Sequence, residues 1–134
     1  MNENASLFFV DRHVKSHLKE KKAFIEYGSS QKFITYADLH EQSSKLRHFF
    51  SKFKINREDR VIILMQDVIS YPIIFWGCLK SGVVPVLLNT LLSSDVVNDI
   101  INNSRAKAIF ISSGLLTSFE NSVKKNVNIK HIIE

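Results

Sequence analysis

From Arg60 onward the chain alternates short apolar runs with longer segments of helical spacing, and this rhythm restricts the fold more than any other feature. Residues 61–65 form a continuous apolar run, short enough for a strand covered on both faces. A helix is predicted over 70–80, with Pro72 in its first turn, where a missing amide hydrogen costs little. Gly82 is placed to end that helix in a left-handed conformation. A strand over 83–88 follows, then a helix capped by Ser93 or Ser94 that ends near 103. A strand over 108–111, a helix over 115–125 and a strand over 130–133 complete the series. Strands alternating with helices in this way indicate right-handed crossovers and a parallel sheet. The expected fold class is α/β, a mainly parallel sheet flanked by helices.

The residues before Arg60 follow a different pattern. Leu7, Phe8, Val10, Val14 and Leu18 give 7–19 a loose helical spacing with a charged opposite face. Residues 23–27 and 32–34 are short strand candidates around Gly28-Ser29-Ser30, a hairpin turn. Thr35 then opens a helix over 36–52. Its hydroxyl can cap the free amides of the first turn, and Asp38, three residues on, can answer as in a capping box. Leu39, Leu46, Phe49, Phe50 and Phe53 share one face of that helix.

Composition removes several chemistries. The four glycines, Gly28, Gly77, Gly82 and Gly114, cannot make a dinucleotide-binding G-x-G-x-x-G, a Walker loop or a nucleophile elbow. A single cysteine, Cys78, excludes an intrachain disulfide and a Cys-rich zinc site. The 18 basic and 13 acidic residues leave a net charge of +5, but acids interrupt the basic stretches and no aromatic–basic string accompanies them. Solvated lysines on outward helix faces account for this charge, so no nucleic-acid partner is expected. The first residues lack the basic and apolar regions of a signal peptide. The longest apolar stretch, 71–79, is about half a membrane span. A cytoplasmic protein with no membrane partner is expected.

Several constellations invite a chemical reading. His13 and His17 stand four apart, the spacing of a paired metal site, but no Glu of H-E-x-x-H and no third ligand accompany them. They are read as two exposed helix histidines, and no metal ligand is assigned. Asp67, Asp95 and Asp99 can be imagined as acid–base carboxylates. Asp95 is better explained as a first-turn acid favoured by the helix dipole, and Asp99 as solvent-facing. Cys78 lies in the apolar run Phe75-Trp76-Gly77-Cys78-Leu79 and reads as an inert packed thiol. The turn Ser112-Ser113-Gly114 follows a strand and opens a helix, so its amides can face an anion, as a flavodoxin-like binder would require. The 71–79 helix is apolar nearly all round. Full burial between sheet and neighbours, and a face meant for a missing partner domain, both explain it.

Three strings together resemble the adenylate-forming enzymes. Ile34-Thr35-Tyr36-Ala37-Asp38-Leu39 is similar to their (L/I)-T-Y-x-(E/D)-L signature. Arg57-Glu58-Asp59-Arg60-Val61 resembles their x-G-D-R-V stretch, with Glu58 where glycine is usual. Leu79-Lys80-Ser81-Gly82-Val83-Val84-Pro85-Val86 is similar to their L-K-A-G-x-V-P-V block. The resemblance runs from about Phe24 to the last residue, in matching order and spacing. Asn89-Thr90-Leu91-Leu92-Ser93 further resembles the V-N-T-L-L-T of the benzoate-CoA ligase branch.

The resemblance implies a two-step ligase. A carboxylate joins ATP to form an acyl-adenylate with release of pyrophosphate, and CoA then attacks the mixed anhydride, with Mg2+ offsetting charge at the phosphates. The family's T-S-G-T-T-G-x-P-K-G loop, its Y-G-x-T-E block, its ribose-binding aspartate and its hinge lysine all lie downstream of Glu134. Residues 1–134 are therefore expected to be a single partial domain, the N-terminal part of the large domain. No catalytic residue is assigned, and the segment alone is expected to bind none of ATP, Mg2+ or CoA as a cofactor. Some relatives carry a basic residue just after the Asn of this string, near the CoA nucleotide. Here Asn89 and Thr90 are the candidate contacts at the CoA-side rim. The implied partners are the remainder of a ligase chain, or a second copy through apolar surface. The alternative is a stand-alone binding or interaction module that keeps the fold without catalysis.

Overall fold

The computed structural model describes residues 4–28 and 31–134. A π-helical stretch, Leu7–Asp11, continues into α1, Arg12–Val14. Strands β1, Lys22–Ile25, and β2, Phe33–Thr35, form an antiparallel ribbon, and α2 spans Tyr36–Lys52. The repeating part follows as β3, Arg60–Leu64; α3, Ser70–Ser81; β4, Val84–Leu87; α4, Ser94–Ser104; β5, Ala108–Ile111; α5, Ser113–Lys124; and β6, His131–Ile133. Strands β3 to β6 form one parallel sheet in the order β4-β3-β5-β6. The α/β class and its parallel sheet are as the rhythm predicts, and strand ends shift by one or two residues, as hydrogen-bonded boundaries commonly do.

The apolar strand runs work because both faces are covered. Val61 and Ile63 pack with Phe50, Ile74, Cys78, Ala108 and Phe110 on the side of α2 and α3. Ile62 and Leu64, one residue out of phase, pack with Val97, Ile101, Ile109, Phe119 and Val123 on the side of α4 and α5. All four β3 side chains from Val61 to Leu64 are 0% exposed. Burial of each such aliphatic side chain stabilises by about 1.5–3 kcal/mol.

The predicted capping box is present. Asp38's amide donates to Thr35 Oγ1 at 3.1 Å, and Thr35's amide donates to the Asp38 carboxylate at 3.1 Å. Hydrogen bonds from the Thr35 hydroxyl and amide hold the Asp38 carboxyl below its usual pKa. Ser93, the first of the two serines proposed, caps α4 through Val96's amide. Gly82 closes α3 at φ +72.

Two expectations are corrected. The helix predicted over 7–19 stops at Val14. The Ser16 hydroxyl donates to the His13 carbonyl at 2.9 Å and accepts from the Leu18 amide at 3.1 Å, replacing helical backbone bonds. Downstream, the carbonyls of Lys19 and Lys21 accept the amides of Ala37 and Tyr36, free donors at the start of α2. The chain therefore leaves the helix to satisfy a neighbour distant in sequence. The second correction concerns His13 and His17, which do not share a helix: His17 lies in the following turn, and His13 stacks on Tyr36 at 4.5 Å between ring centroids. The proposed turn at Ser29-Ser30 lies outside the described residues.

On α3, Ile74 and Cys78 are buried and the other large apolar side chains are half-buried, so neighbours cover the helix in part. Ile74 and Cys78 face the sheet. Ile73 and Trp76 pack with Ile69 on a smaller cluster of Val10, Ile34 and Leu39, which ties the N-terminal segment and the ribbon to α3. None of its large apolar side chains is exposed; the exposed ones lie elsewhere, on Phe8, Phe9, Ile25, Tyr27 and Leu91 among others.

Candidate functional site

In an open parallel sheet, ligands bind outside the carboxyl ends of the strands, where the winding direction reverses. The chain passes from β3 to β4 on one side, then returns across β3 to β5 on the other, so the reversal falls between β3 and β5. Three strand ends are laced together there. The Ser112 amide donates to the Leu64 carbonyl at 3.3 Å, and the Gln66 amide donates to Ser112 Oγ at 3.0 Å. On the other side, the Leu88 amide donates to the Ile63 carbonyl at 3.0 Å. These bonds hold Gln66 and Asp67 after β3 beside Asn89 and Thr90 after β4.

Next to that reversal, between the ends of β3 and β4, lies a cleft of about 340 Å³ with Gln66, Asp67, Tyr71, Asn89 and Thr90 among its lining residues. Asn89 and Thr90, the two rim candidates, stand side by side on this cleft. Asn89 Oδ1 accepts the Leu91 amide at 2.9 Å, which turns its side chain toward its own backbone and presents Thr90, half-buried, beside it. Tyr71, on the first turn of α3, has its hydroxyl pKa raised by burial and then by the Asp67 charge, so it is a neutral donor at physiological pH. A tyrosine hydroxyl, two amides, a hydroxyl and one carboxylate can orient a polar ligand. Among the described residues lining this cleft, no serine, cysteine or lysine stands beside a general base.

The other sequence candidates are dispersed. Asp95 lies in the first turn of α4 and Asp99 on its exposed face, as expected from the dipole and the spacing. Asp67 is exposed at the cleft. Among the described residues, no three His, Cys, Asp or Glu side chains converge as metal ligands. Cys78 is fully buried, and burial pushes its thiol pKa up to about 12, so it is packing and not nucleophile. In the turn Ser112-Ser113-Gly114, the Ser112 hydroxyl is engaged by Gln66 and does not cap α5.

One cluster escaped the sequence reading. Lys80 Nζ, only 9% exposed, donates to Asp11 Oδ1 at 2.7 Å, to the His40 carbonyl at 3.2 Å and to Ser44 Oγ at 3.1 Å. His40 Nδ1 also approaches Asp11 Oδ1 at 2.8 Å. Burial pushes the Asp11 carboxyl up, but Lys80 and His40 together pull harder and leave it below its ordinary value. With His40 Nδ1 at 3.1 Å as a fourth neighbour, acceptors surround the three ammonium protons, so this is an anchor between α3, α2 and the N-terminal segment. The available signal was a lysine in an otherwise apolar helix.

The family described as AMP-binding enzyme matches residues 10–134. The chain is 32% identical over 130 residues to a 4-hydroxybenzoate-CoA/benzoate-CoA ligase of Rhodopseudomonas palustris, covering 97% of this chain and 24% of that protein. It is 31% identical over 128 residues to a long-chain-fatty-acid-CoA ligase of Haemophilus influenzae, covering 95% of this chain and 22% of that one. A crystal structure of a benzoate CoA ligase from Burkholderia xenovorans LB400 superposes with a TM-score of 0.82 at 22% identity, over 98% of this chain and 26% of that structure. The structural likeness establishes the fold. The chain spans about a quarter of the length of the curated relatives it matches.

Proposed function

Since the chain belongs to the AMP-binding enzyme family, we propose that it builds the first part of the large domain of an acid-CoA ligase, with an aromatic acid such as benzoate as the substrate. The family match over 10–134 is the observation that carries this reading. The R. palustris relative, named for benzoate and 4-hydroxybenzoate, supports the aromatic acid, together with the Asn89-Thr90-Leu91-Leu92 string.

In this reading the full enzyme joins its acid to ATP, with Mg2+ at the phosphates, and passes the acyl group to CoA. The present residues serve as scaffold. They form one wall of the cleft, with Asn89 and Thr90 at the rim on the CoA side, where neutral groups contact the nucleotide by hydrogen bonding instead of clamping its phosphates. The remainder of the ligase chain is the partner. A cytoplasmic address accompanies a reaction that draws on ATP and CoA. Among the described residues, no helix is long and apolar enough to cross a membrane.

The 134 residues contain no Ser/Thr-Gly-rich phosphate loop, so this segment alone is expected to be inactive. Benzoate-dependent exchange between ATP and pyrophosphate is the test, on protein verified by mass as residues 1–134. The expected result is no exchange above background. Exchange that scales with protein concentration would overturn the scaffold assignment.

A further inference from the structure

We propose that Glu26 is the positioning residue of the cleft between the ends of β3 and β4: from the ribbon, it sets where Asp67 and Tyr71 stand opposite Asn89 and Thr90. The proposal deepens the ligase reading, because it rests on this cleft being the side on which CoA is met.

The start of α3 lacks a local cap. Ile69, the residue before the helix, has helical dihedrals at φ −55 and ψ −30 and offers no side-chain acceptor. The acceptor comes instead from the ribbon, where Glu26 Oε2 accepts the Ile69 amide at 3.0 Å. A carboxylate there also meets the positive end of the α3 dipole. Glu26 is itself fixed, since its amide donates to the Lys32 carbonyl at 2.8 Å and so extends the pairing of β1 and β2.

The loop from β3 to α3 is thereby pinned at two points, the Gln66 amide by Ser112 Oγ and the Ile69 amide by Glu26. Between and beside these pins, the Val68 amide donates to the Gln66 carbonyl and the Tyr71 amide to the Val68 carbonyl, each at 2.9 Å. Asp67 and Tyr71 are carried on this pinned turn. They line the polar cleft on one side and, together with Glu26, a largely apolar pocket of about 220 Å³ on the other. Glu26 thus stands behind the cleft wall and acts through Ile69. The Ile69 side chain also packs on Val10, Ile34 and Leu39, but apolar packing is non-directional and leaves the backbone of the turn to the hydrogen bond.

Glu26→Ala and Glu26→Gln in the 134-residue chain test this without any ligand, so neither readout depends on the ligase reading, which the pyrophosphate exchange tests. Tyrosine isotopically labelled at Cζ gives one magnetic-resonance signal each for Tyr27, Tyr36 and Tyr71. Tyr71 should titrate above the ordinary 10.0 in the parent chain, because burial and then the Asp67 charge oppose its ionisation. Gln keeps an oxygen for the Ile69 amide and should preserve that titration. Ala should bring it down toward 10.0, as Tyr71 gains solvent and Asp67 moves away. At neutral pH, amide exchange at residues 69–71 should quicken about tenfold in the Ala variant and stay unchanged in the Gln variant. Exchange decides any variant that alkali unfolds. An Ala variant that keeps the parent titration of Tyr71 and the parent exchange at residues 70 and 71 overturns the proposal. So does a Gln variant that shifts Tyr71 as far as Ala, which would assign the effect to charge and not to position. An Ala variant whose circular dichroism shows no fold equally overturns it, because Glu26 would then hold the fold and not the wall.

Discussion

The amide of Glu58 donates to the carbonyl of Gly82 at 2.8 Å, and both residues lie in the left-handed region, at φ +67 and +72. The loop before β3 and the loop after α3 therefore turn against each other, which sets Arg60 in register with Val84. Glycine adopts this conformation freely at position 82, whereas Glu58 adopts it against a steric cost. Glu58 also stands where the resembling family pattern carries glycine.

Glu58→Gly should accordingly stabilise the protein by about 0.5–1 kcal/mol, read as a higher urea midpoint with unchanged slope. The exposed ion pair with Arg57, at 3.5 Å, contributes little and its loss does not cancel the gain. Gly82→Ala should cost about 1 kcal/mol or more, because the new Cβ must take a positive φ and would also meet Arg57 Cγ at 3.0 Å.

Lys80→Met should destabilise by about 1–3 kcal/mol, because it leaves the half-buried Asp11 carboxylate without its lysine. Limited proteolysis should then cut within the N-terminal segment before α2 is attacked. Adding Asp11→Leu should recover part of the loss in thermal melts, since the stranded charge is then absent.

Acid should act through the same anchor. Asp11, and Asp59 paired with Lys107 at 2.8 Å, have carboxyl pKa values below the ordinary 3.8; burial raises each, and it is outweighed at Asp11 by Lys80 and His40 and at Asp59 by Lys107, the Asn56 amide and the Arg60 charge. A depressed carboxylate stabilises the fold above its unfolded pKa and loses that contribution as pH falls through the folded one. Urea midpoints should therefore stay flat in this respect above about pH 5 and fall below about pH 4. Asp59→Asn should shrink the acid-dependent drop.

Gly77→Ala tests the contact between α2 and α3. A Cβ at position 77 would collide with Leu46, whose own Cβ would lie 2.8 Å away, so the helices must separate. A loss of about 1–3 kcal/mol is expected in denaturant titrations. Pairing the change with Leu46→Ala should relieve the collision and recover part of the loss.

The sequence by itself determined what short-range chemistry decides. The alternation of apolar runs and helical spacing from Arg60 to Ile133 marked the parallel sheet, because burial on both faces leaves no polar alternation to read. Thr35 with Asp38, Ser93 and Gly82 marked helix ends, because each satisfies or terminates a turn with groups only a few residues away. Asn89 and Thr90 were legible as a pair through the family-like string and Asp67 as a lone carboxylate, while their meeting in one cleft with Gln66 and Tyr71 was not. Gln66, Asp67 and Tyr71 join them only because β3 and β4 end side by side, a relation between residues 18 or more positions apart along the chain. Tertiary structure alone decided three further matters: the early end of the first helix, the burial of Lys80 and the left-handed Glu58. In each case the deciding partner is remote in sequence: the amides of Tyr36 and Ala37, the carboxylate of Asp11, and the carbonyl of Gly82. Local propensity carries no information about such partners, and the hydrogen bonds they offer outweigh it once the sheet has brought them together.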